Sequence, residues 1–340
     1  MKASDLKNVL EISSIVGKGF APITEYTYFN NKTVKATNME AYIEILDQQI
    51  PFSGCVLTVQ FKQFLDSLSK DVELNFEVNQ NTLNINYGKK NRFTLPMESL
   101  TDFPDSPSLK YSSADIKGSF TLTQEFIKSL EASSQFISKV DPKFNGVYIK
   151  NKHMYSSNRE ILYMNSIDVD YEVNAFIPYN LVKLLTKFKG KVACLEVYPY
   201  GFKVIGDDLI LYYSNYEENE CPPFESIFKK YETITRIYST EELKESVNRI
   251  SLFTEHANII IDKENIKMYV NSIEEEVPLV FPNDAETASI ETKSFIFNIN
   301  YLKKLLIYDE IILMTTKDSM EVKAILGESE TSKMLSATVN

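Results

Sequence analysis

The sequence has 340 residues, of which 44% are hydrophobic and 24% charged, and its net charge at pH 7 is −11. This balance is typical of globular proteins, and a chain of this length suggests two or three domains with cores of their own. It excludes a disordered chain, a collagen-like chain and a small scaffold held by disulfides.

Six segments have the apolar spacing of amphipathic helices, with apolar residues at i, i+3 or i+4, and i+7. The predicted helices span 4–16, 60–70, 123–137, 179–191, 240–252 and 300–308. They alternate between two patterns. Leu6, Phe126 and Leu243 are equivalent in the first, third and fifth helices, at offsets of 120 and 117 residues.

The second, fourth and sixth helices repeat the other pattern at offsets of 120 and 121 residues. Runs that alternate with period two follow these helices at 72–78, 192–197 and 311–314, and further alternating runs follow at 83–87, 202–205 and 321–325. Each unit therefore has the order helix, strands, helix, strands.

This order predicts an α+β fold of three tandem repeats, each with two helices on one face of antiparallel sheets. The repeats are expected at 1–115, 116–235 and 236–340, with joints in the stretches 103–107 and 221–224, which are rich in Pro. The remaining alternative from residue patterns alone is three unrelated α+β domains.

Residues that could carry catalysis or bind a metal are scarce. His153 and His256 are far apart, as are Cys55, Cys194 and Cys221, and no zinc-type spacing occurs. GxxxxGK[ST], GxSxG and GxGxxG are also absent. We therefore expect no catalytic residues, no metal, no cofactor and no enzymatic activity.

The N-terminal residues Asp5, Lys7 and Glu11 lie where a signal peptide would be apolar. No apolar run reaches the roughly 20 residues of a membrane-spanning helix. We expect a cytoplasmic protein without membrane contact. The many Asn, Lys, Ile and Tyr residues suggest an AT-rich genome, and either a low-GC bacterium or a virus would fit, with the host cytoplasm as the location if viral.

Four short segments carry a resemblance to a known family. They are 91–96 with 102–104, then 144–147, 221–227 and 297–302, the last of which matches Phe-Asn-x-x-Tyr-Leu. Their order resembles the bacterial-type DNA polymerase sliding clamp, the beta subunit of the replicative polymerase, over the whole chain. Two stretches depart from the family: 157–162 replaces Thr-Asp-Gly-His-Arg-Leu, and 334–340 replaces an apolar Met-Pro tail.

The resemblance implies a homodimer closed head to tail into a ring of six like domains. Such a ring encircles duplex DNA without reading sequence and tethers the replicative polymerase as a processivity factor. A separate clamp-loader ATPase is implied, because the chain has no nucleotide-binding motif. The alternative function is a three-repeat scaffold or interaction protein without a DNA role.

In this family the helices face the DNA. The six predicted helices hold 12 Lys and Arg against 8 Asp and Glu, whereas the rest of the chain is strongly acidic. This asymmetry fits a ring that accepts DNA only inside. The candidate phosphate contacts are Lys7, Lys18, Lys62, Lys70, Lys128, Lys183, Lys187, Lys244, Arg249, Lys303 and Lys304.

Two further sites follow from the resemblance. The pocket for a partner peptide, between the second and third repeats, would use Phe144, Ser157, Leu162, Pro222, Ile227, Asn298, Tyr301, Met320, Met334, Leu335 and Ser336. The subunit interface would use Phe103, Leu252 and Phe253.

Overall fold

The computed structural model describes residues 1–99, 101, 103–168, 173–188, 192–214, 220–282 and 291–339. Within these ranges the α-helices are α1 (Ala3–Ser13), α2 (Thr58–Asp66), α3 (Gln124–Ser134), α4 (Tyr179–Lys187), α5 (Phe224–Phe228), α6 (Glu241–Ile250) and α7 (Ile299–Leu305). All six predicted helices are present, with ends that differ by at most four residues. The exception is the predicted end of α4, because 189–191 lie outside the described residues. The five-residue α5 was not predicted.

The strands are β1 (Tyr26–Phe29), β2 (Val34–Thr37), β3 (Ala41–Ile45), β4 (Gly54–Leu57), β5 (Leu74–Asn79), β6 (Thr82–Tyr87), β7 (Asn91–Glu98), β8 (Gly118–Thr121), β9 (Gly146–Lys150), β10 (His153–Ser157), β11 (Ile161–Ser166), β12 (Ala175–Pro178), β13 (Val192–Tyr198), β14 (Gly201–Gly206), β15 (Leu209–Tyr213), β16 (Tyr231–Tyr238), β17 (His256–Ile261), β18 (Asn265–Val270), β19 (Ile273–Pro278), β20 (Lys293–Asn298), β21 (Glu310–Thr316), β22 (Ala324–Glu328) and β23 (Ser332–Ala337). Every strand pairing assigned a register is antiparallel, which confirms the α+β class.

The chain divides into two compact units. The first comprises Met1–Lys128 and Val169–Glu218, and the second comprises Ser129–Asp168 and Asn219–Asn340. In the first unit one sheet of eleven strands has the order β5-β6-β7-β4-β1-β2-β3-β15-β14-β13-β8. In the second unit β9-β10-β11-β23-β22-β21-β16 are successive neighbours, and β19-β18-β17-β20 form a separate sheet.

Two strand pairs join residues of different predicted repeats. In the first unit Ala41–Ile45 of β3 pairs with β15, and in the second unit Ile161–Asn165 of β11 pairs with β23. The second predicted repeat thus shares a sheet with each neighbour, which is why the compact units do not follow the repeats. The boundaries 1–115, 116–235 and 236–340 stay a prediction.

The turn that precedes each of these joining strands is the same. Asn38 Oδ1 accepts the N–H groups of residues 40 and 41 at 3.0 and 2.7 Å, and Asn158 Oδ1 accepts those of 160 and 161 at 3.1 and 2.8 Å. The residues after each Asn, Met39 and Arg159, have φ of 77° and 80°. A repeat of this hydrogen-bonded turn at an offset of 120 residues supports a common origin of the two segments.

The cores lie between the helices and the sheets. In the second unit a cluster of buried side chains joins α6 and α7 to both sheets, and Val247, Leu302 and Phe297 are fully buried there. α6 begins with a conventional cap, in which Thr240 Oγ1 accepts the N–H of Leu243 at 3.2 Å. In the part of the chain that the structure describes, no helix has the length and apolarity that crossing a membrane would require.

The close fit of Tyr308 over Gly327 in β22 yields a stability prediction. A Cβ added at Gly327 would overlap the Tyr308 ring, and overpacking of this kind costs about 2 kcal/mol. We expect Gly327→Ala to lower the free energy of unfolding by that amount in urea titrations. Because Tyr308→Leu removes the ring, the double variant should lose less stability than the two single changes summed. Additive losses would contradict this account.

Candidate functional site

Six of the candidate phosphate contacts lie on or beside helices and make no ion pair with any described residue. They are Lys62, Lys70, Lys128, Lys183, Lys187 and Lys303. All except Lys62 are exposed, and Lys62 is half-buried. The Lys183 ammonium also lies 4.6 Å from the centre of the Tyr179 ring, which restricts the side chain without neutralising it. These cations are available to an anionic ligand.

Three other candidate lysines are neutralised by carboxylates of the same chain. Lys7 lies 2.6 Å from Asp66, which joins α1 to the end of α2, and Lys18 lies 2.7 Å from Glu25. Lys244 has a looser partner, Glu241, at 3.9 Å on the same helix. Because exposed pairs of this kind are weak, they can exchange for phosphate, but each exchange costs the internal pair.

Lys304 is half-buried, and its ammonium lies 5.0 Å from the centre of the Phe136 ring. Burial lowers the pKa of this ammonium, because a low dielectric disfavours the charged form. Its position beside a core aromatic ring leaves it less accessible to phosphate than Lys303.

Arg249 is committed to the neighbouring sheet. Its Nε and Nη2 donate to the two carboxylate oxygens of Glu275 at 2.9 and 3.0 Å, and Ser246 Oγ also donates to that carboxylate at 2.8 Å. The bidentate bond from Arg249 is the main cause of the lowered pKa of Glu275. Arg249 therefore connects α6 to the edge strand β19 and is not a free cation.

The candidate pocket residues Ser157, Leu162 and Leu335 share one face of the sheet in the second unit. Ser157 and Leu335 each lie opposite Leu162 in neighbouring strands, and paired residues point to the same side. The opposite side carries the buried core and α7. We call the side with Leu162 and Leu335 the outer face.

Two further pocket candidates lie at α5: Pro222 just before the helix and Ile227 within it. Phe224 anchors α5 by stacking on Tyr155 at 5.5 Å between ring centres, and Glu225 accepts the Tyr155 hydroxyl at 3.0 Å. Ile227 remains 37% exposed. The candidate Phe144 lies 6.4 Å from the Phe224 ring.

Met334 and Ser336 point away from the outer face, because side chains alternate along β23. Met334 is fully buried in the core cluster. The Ser336 hydroxyl is buried and has no hydrogen-bond partner among the described residues. Of the three tail candidates only Leu335 can face a ligand on the outer face, so we assign Met334 and Ser336 to packing.

Tyr301 and Asn298 lie at the start of α7. Asn298 caps the helix by accepting the N–H of Asn300 at 3.0 Å, and the Tyr301 hydroxyl accepts a hydrogen bond from Asn158 Nδ2 at 3.1 Å. Burial, and then a hydrogen bond to Glu160, raise the pKa of Tyr301. The hydroxyl is thus held at the end of the turn that precedes β11.

The last described residues extend this site. Ala337 N–H donates to the Glu160 carbonyl at 3.4 Å, and Val339 pairs with Ile296 of β20. Val339 and Ile296 are 41% and 39% exposed, and the candidate Met320 is 81% exposed. An apolar strip with partly open side chains therefore runs beside Tyr301.

The first unit contains a residue pair that corresponds to Leu162–Leu335, and both of its residues are aromatic. Tyr42 of β3 lies opposite Tyr212 of β15, in the register that Leu162 and Leu335 occupy. The Tyr42 hydroxyl donates to the Pro104 carbonyl at 3.2 Å, and Phe103 packs 6.1 Å from the Tyr42 ring. The same position is thus aliphatic in one unit and closed by large rings in the other.

The interface candidates divide in the same way. Phe103 is buried within its own unit, whereas Leu252 and Phe253, just after α6, are 79% and 61% exposed. Sequence reasoning missed two strands: β7, which pairs with β6 and, at its end, with β4, and the edge strand β19. Charge was the available signal, because Lys89 and Lys90 precede β7 and three glutamates occupy β19.

The Arg249–Glu275 bond makes stability depend on pH. Because the folded-state pKa of Glu275 is lowered, its carboxylate stabilises the fold above the ordinary Glu pKa of about 4.3, and this contribution is lost as pH falls through the lowered value. Glu275→Gln should reduce the free energy of unfolding by about 1 kcal/mol at pH 7 and by less at pH 3. Urea titrations at both pH values test this, with Glu264→Gln on an exposed turn as control. A loss that is equal at both pH values would refute the assignment.

No protein-family model and no curated protein matches the sequence, but solved structures match over its full length. Pol III beta of Caulobacter crescentus is 14% identical with a TM-score of 0.82, and the match covers 100% of this chain and 99% of that chain. A sliding clamp from Bartonella birtlesii, bound to griselimycin, is 16% identical with a TM-score of 0.81 and coverage of 100% and 98%. A DNA polymerase sliding clamp from Pseudomonas aeruginosa is 14% identical with a TM-score of 0.79 and the same coverage. The chain has the tandem-repeat α+β fold of the bacterial sliding clamps.

Proposed function

We propose that this chain is a DNA sliding clamp that acts as a polymerase processivity factor. Two copies close head to tail around duplex DNA and hold a replicative polymerase through the outer-face site beside Leu162, Leu335 and Tyr301. The observation that carries the proposal is the repeated edge-to-edge strand junction, for which β19 and the Asn91–Pro96 part of β7 have no partner among the described residues. The solved structures that share the fold are named as clamps, which supports the same conclusion.

The junction pattern predicts which edges close the ring. The third strand of one sheet pairs with the last strand of the next repeat in both β3–β15 and β11–β23. By the same rule β19 should pair with β7. Among the described residues, however, β19 pairs only with β18, and the Asn91–Pro96 edge of β7 has no partner opposite β6. Open edges tend to recruit another chain, and a head-to-tail pairing that closes gives a symmetric dimer.

The two open edges carry opposite charges. Lys89 and Lys90 precede β7, and Arg92 lies on it, 3.9 Å from Glu77. Glu274 and Glu276 lie on β19 with exposed side chains, and Glu276 is 3.0 Å from Lys267. Pairing them across copies places cations opposite carboxylates, which favours the proposed partner and disfavours like edges.

A cavity of about 420 Å³ between α1 and α2 offers a place for the turn between β18 and β19 of the second copy. Gln60 lines this cavity and is the helix position that corresponds to Asn180 and Tyr301. In the first unit Asn180 Nδ2 bonds Glu40 of the joining turn at 3.3 Å, and in the second unit Tyr301 bonds Asn158. Gln60 is therefore suited to the same contact in the dimer.

The exposed lysines fit a weak, sequence-independent hold on DNA. A ring retains DNA by enclosure, so interchangeable phosphate contacts suffice and permit sliding. With no nucleotide-binding motif in the sequence, a separate loader ATPase must open the ring. The role is non-enzymatic and belongs in the cytoplasm that holds the replicating DNA, which is the host cytoplasm for a viral protein.

Charge reversal on the two edges tests the head-to-tail dimer. One variant combines Lys90→Glu with Arg92→Glu, and the other combines Glu274→Lys with Glu276→Lys. Each variant alone should be monomeric, because in its homodimer the β7 edge of one copy would meet a β19 edge of the same charge on the other copy. A mixture should dimerise, because each edge then meets its opposite. Sedimentation equilibrium measures the outcome, and dimerisation should weaken as salt rises.

The wild-type chain and a variant with Lys263→Glu and Lys317→Glu, both on exposed turns, serve as controls that should dimerise. The dimer is wrong if wild type stays monomeric at its highest soluble concentration. The pairing of β7 with β19 is wrong if the mixed variants fail to associate while wild type dimerises.

Retention on circular DNA tests the lysine assignment. The protein is mixed with nicked plasmid at high salt, and salt is then lowered to close the ring. Lys183→Glu with Lys187→Glu should shorten the lifetime of the complex about tenfold, because four charges change at the phosphate surface in each ring. The control with Lys263→Glu and Lys317→Glu should behave as wild type.

Cutting the plasmid should release every variant, because enclosure holds the DNA. Gel filtration of labelled protein measures both effects. An unchanged lifetime for the Lys183 and Lys187 variant would remove these residues from the DNA-facing surface. A complex that survives linearisation would contradict enclosure.

A further inference from the structure

The apolar strip beside Tyr301 is continuous by register. Leu335 lies opposite Leu162 on the outer face, and Ala337 follows on the same side by alternation. Val339 continues this side and pairs with Ile296, so their side chains share the face. The strip leads from the most buried pair to side chains that are about 40% exposed.

Two carboxylates flank the open end of this strip. Glu160 belongs to the turn that positions Asn158, and its carbonyl accepts the Ala337 N–H. The Glu255 carbonyl accepts the N–H of Ile299 at 2.8 Å, which places Glu255 at the first turn of α7. Both side chains are exposed, and their negative charges contribute to the raised pKa of Tyr301. Neither forms an ion pair with a described residue.

Among the cations near this end, Lys303 is exposed and has no described ion pair, but it lies about 200° around α7 from Tyr301 and so faces away from the strip. Arg159 and Lys323 are engaged by carboxylates. Arg159 Nε donates to Asp141 at 2.7 Å, and Lys323 Nζ donates to Glu321 at 2.6 Å. Lys304, one helical turn beyond Tyr301, is half-buried against Phe136. The open end of the apolar strip therefore presents uncompensated negative charge.

We infer that the partner segment recognised at this site carries a Lys or Arg next to its apolar anchor residues. The apolar side chains fill the strip along Leu335, Val339 and Ile296, and the cation lies between Glu160 and Glu255. This inference deepens the proposed tethering function and rests on it. The occupant is a peptide of a partner protein, because a narrow apolar strip with a charged rim fits an extended segment.

Selection from a displayed library of random peptides tests the inference on the full-length chain. Peptides selected by wild type, and not by Tyr301→Ala, should combine aromatic or aliphatic residues with Lys or Arg. Glu160→Lys leaves the backbone N–H groups that bind Asn158 in place, so it should fold normally. It should select Asp or Glu at the same peptide position instead.

Fluorescence anisotropy with one selected basic peptide gives the magnitude. Affinity should fall about threefold for Glu160→Gln and about tenfold for Glu160→Lys, as expected for a partly exposed charge pair, and it should fall with added salt. The matched control Glu264→Lys, on an exposed turn, should bind as wild type does.

The outcomes separate the inference from the function beneath it. Peptides that depend on Tyr301 but are neutral or acidic, or an affinity unchanged in Glu160→Lys, would overturn the basic-partner inference and leave the pocket standing. Selection that is the same for wild type and Tyr301→Ala would overturn the pocket itself.

Discussion

Pairing of sheet edges between successive repeats is the constraint on which the rest of this structure depends. A strand edge exposes N–H and C=O groups that must find partners, and here β3 meets β15 and β11 meets β23. Each pairing fixes the hydrogen-bonded turn before it, the residue pair on the outer face and the path of the nearby linker. The candidate pocket lies at such a junction, and in the proposed dimer the unpaired stretches of β7 and β19 would form the same junction between two chains.

Local ion pairs divide the basic residues into two classes. Lys7 and Arg249 bind carboxylates of neighbouring elements and stabilise the fold. Lys183 and Lys187 on α4 are exposed and make no ion pair with any described residue, so their positive charge is available to an anionic ligand. In a chain with a net charge of −11, a few unpaired cations on one helix matter more than the overall balance. Overall charge would have argued against DNA, whereas this distribution favours it.

The helices could be predicted from the sequence because their signal is local and periodic, as the spacing of Phe61, Phe64 and Leu65 shows. The role of a residue such as Met334 could not, because it depends on which strand β23 joins and in which register. A shift of one position would have exchanged Met334 with Leu335. The ion pair of Arg249 could not be predicted for a similar reason. Its partner Glu275 is distant in sequence, and no helical pattern indicates that contact.

The contacts of Phe103 also could not be predicted from the sequence. The linker that contains it resembles the family, yet its ring packs against Tyr28 and Tyr42 within its own unit. Helix α5 escaped prediction because five residues are too few for a periodic signal. Sequence reasoning therefore predicts best the features that a single helix or strand determines. It predicts worst the contacts that depend on the pairing of two distant strands.

The aromatic closure at Tyr42 and Tyr212 has a consequence for stoichiometry. If both junctions within the chain, β3–β15 and β11–β23, had aliphatic residues at this register, each chain would have two partner sites instead of one. Because rings fill one of these positions, the proposed dimer would have two partner sites in total, one on each chain. A polymerase and a second enzyme would then bind the same dimer at the same time, whereas a third protein would bind only after one of them dissociates. In the proposed dimer, Tyr42 and Tyr212 would thus limit the number of partners bound at one time to two.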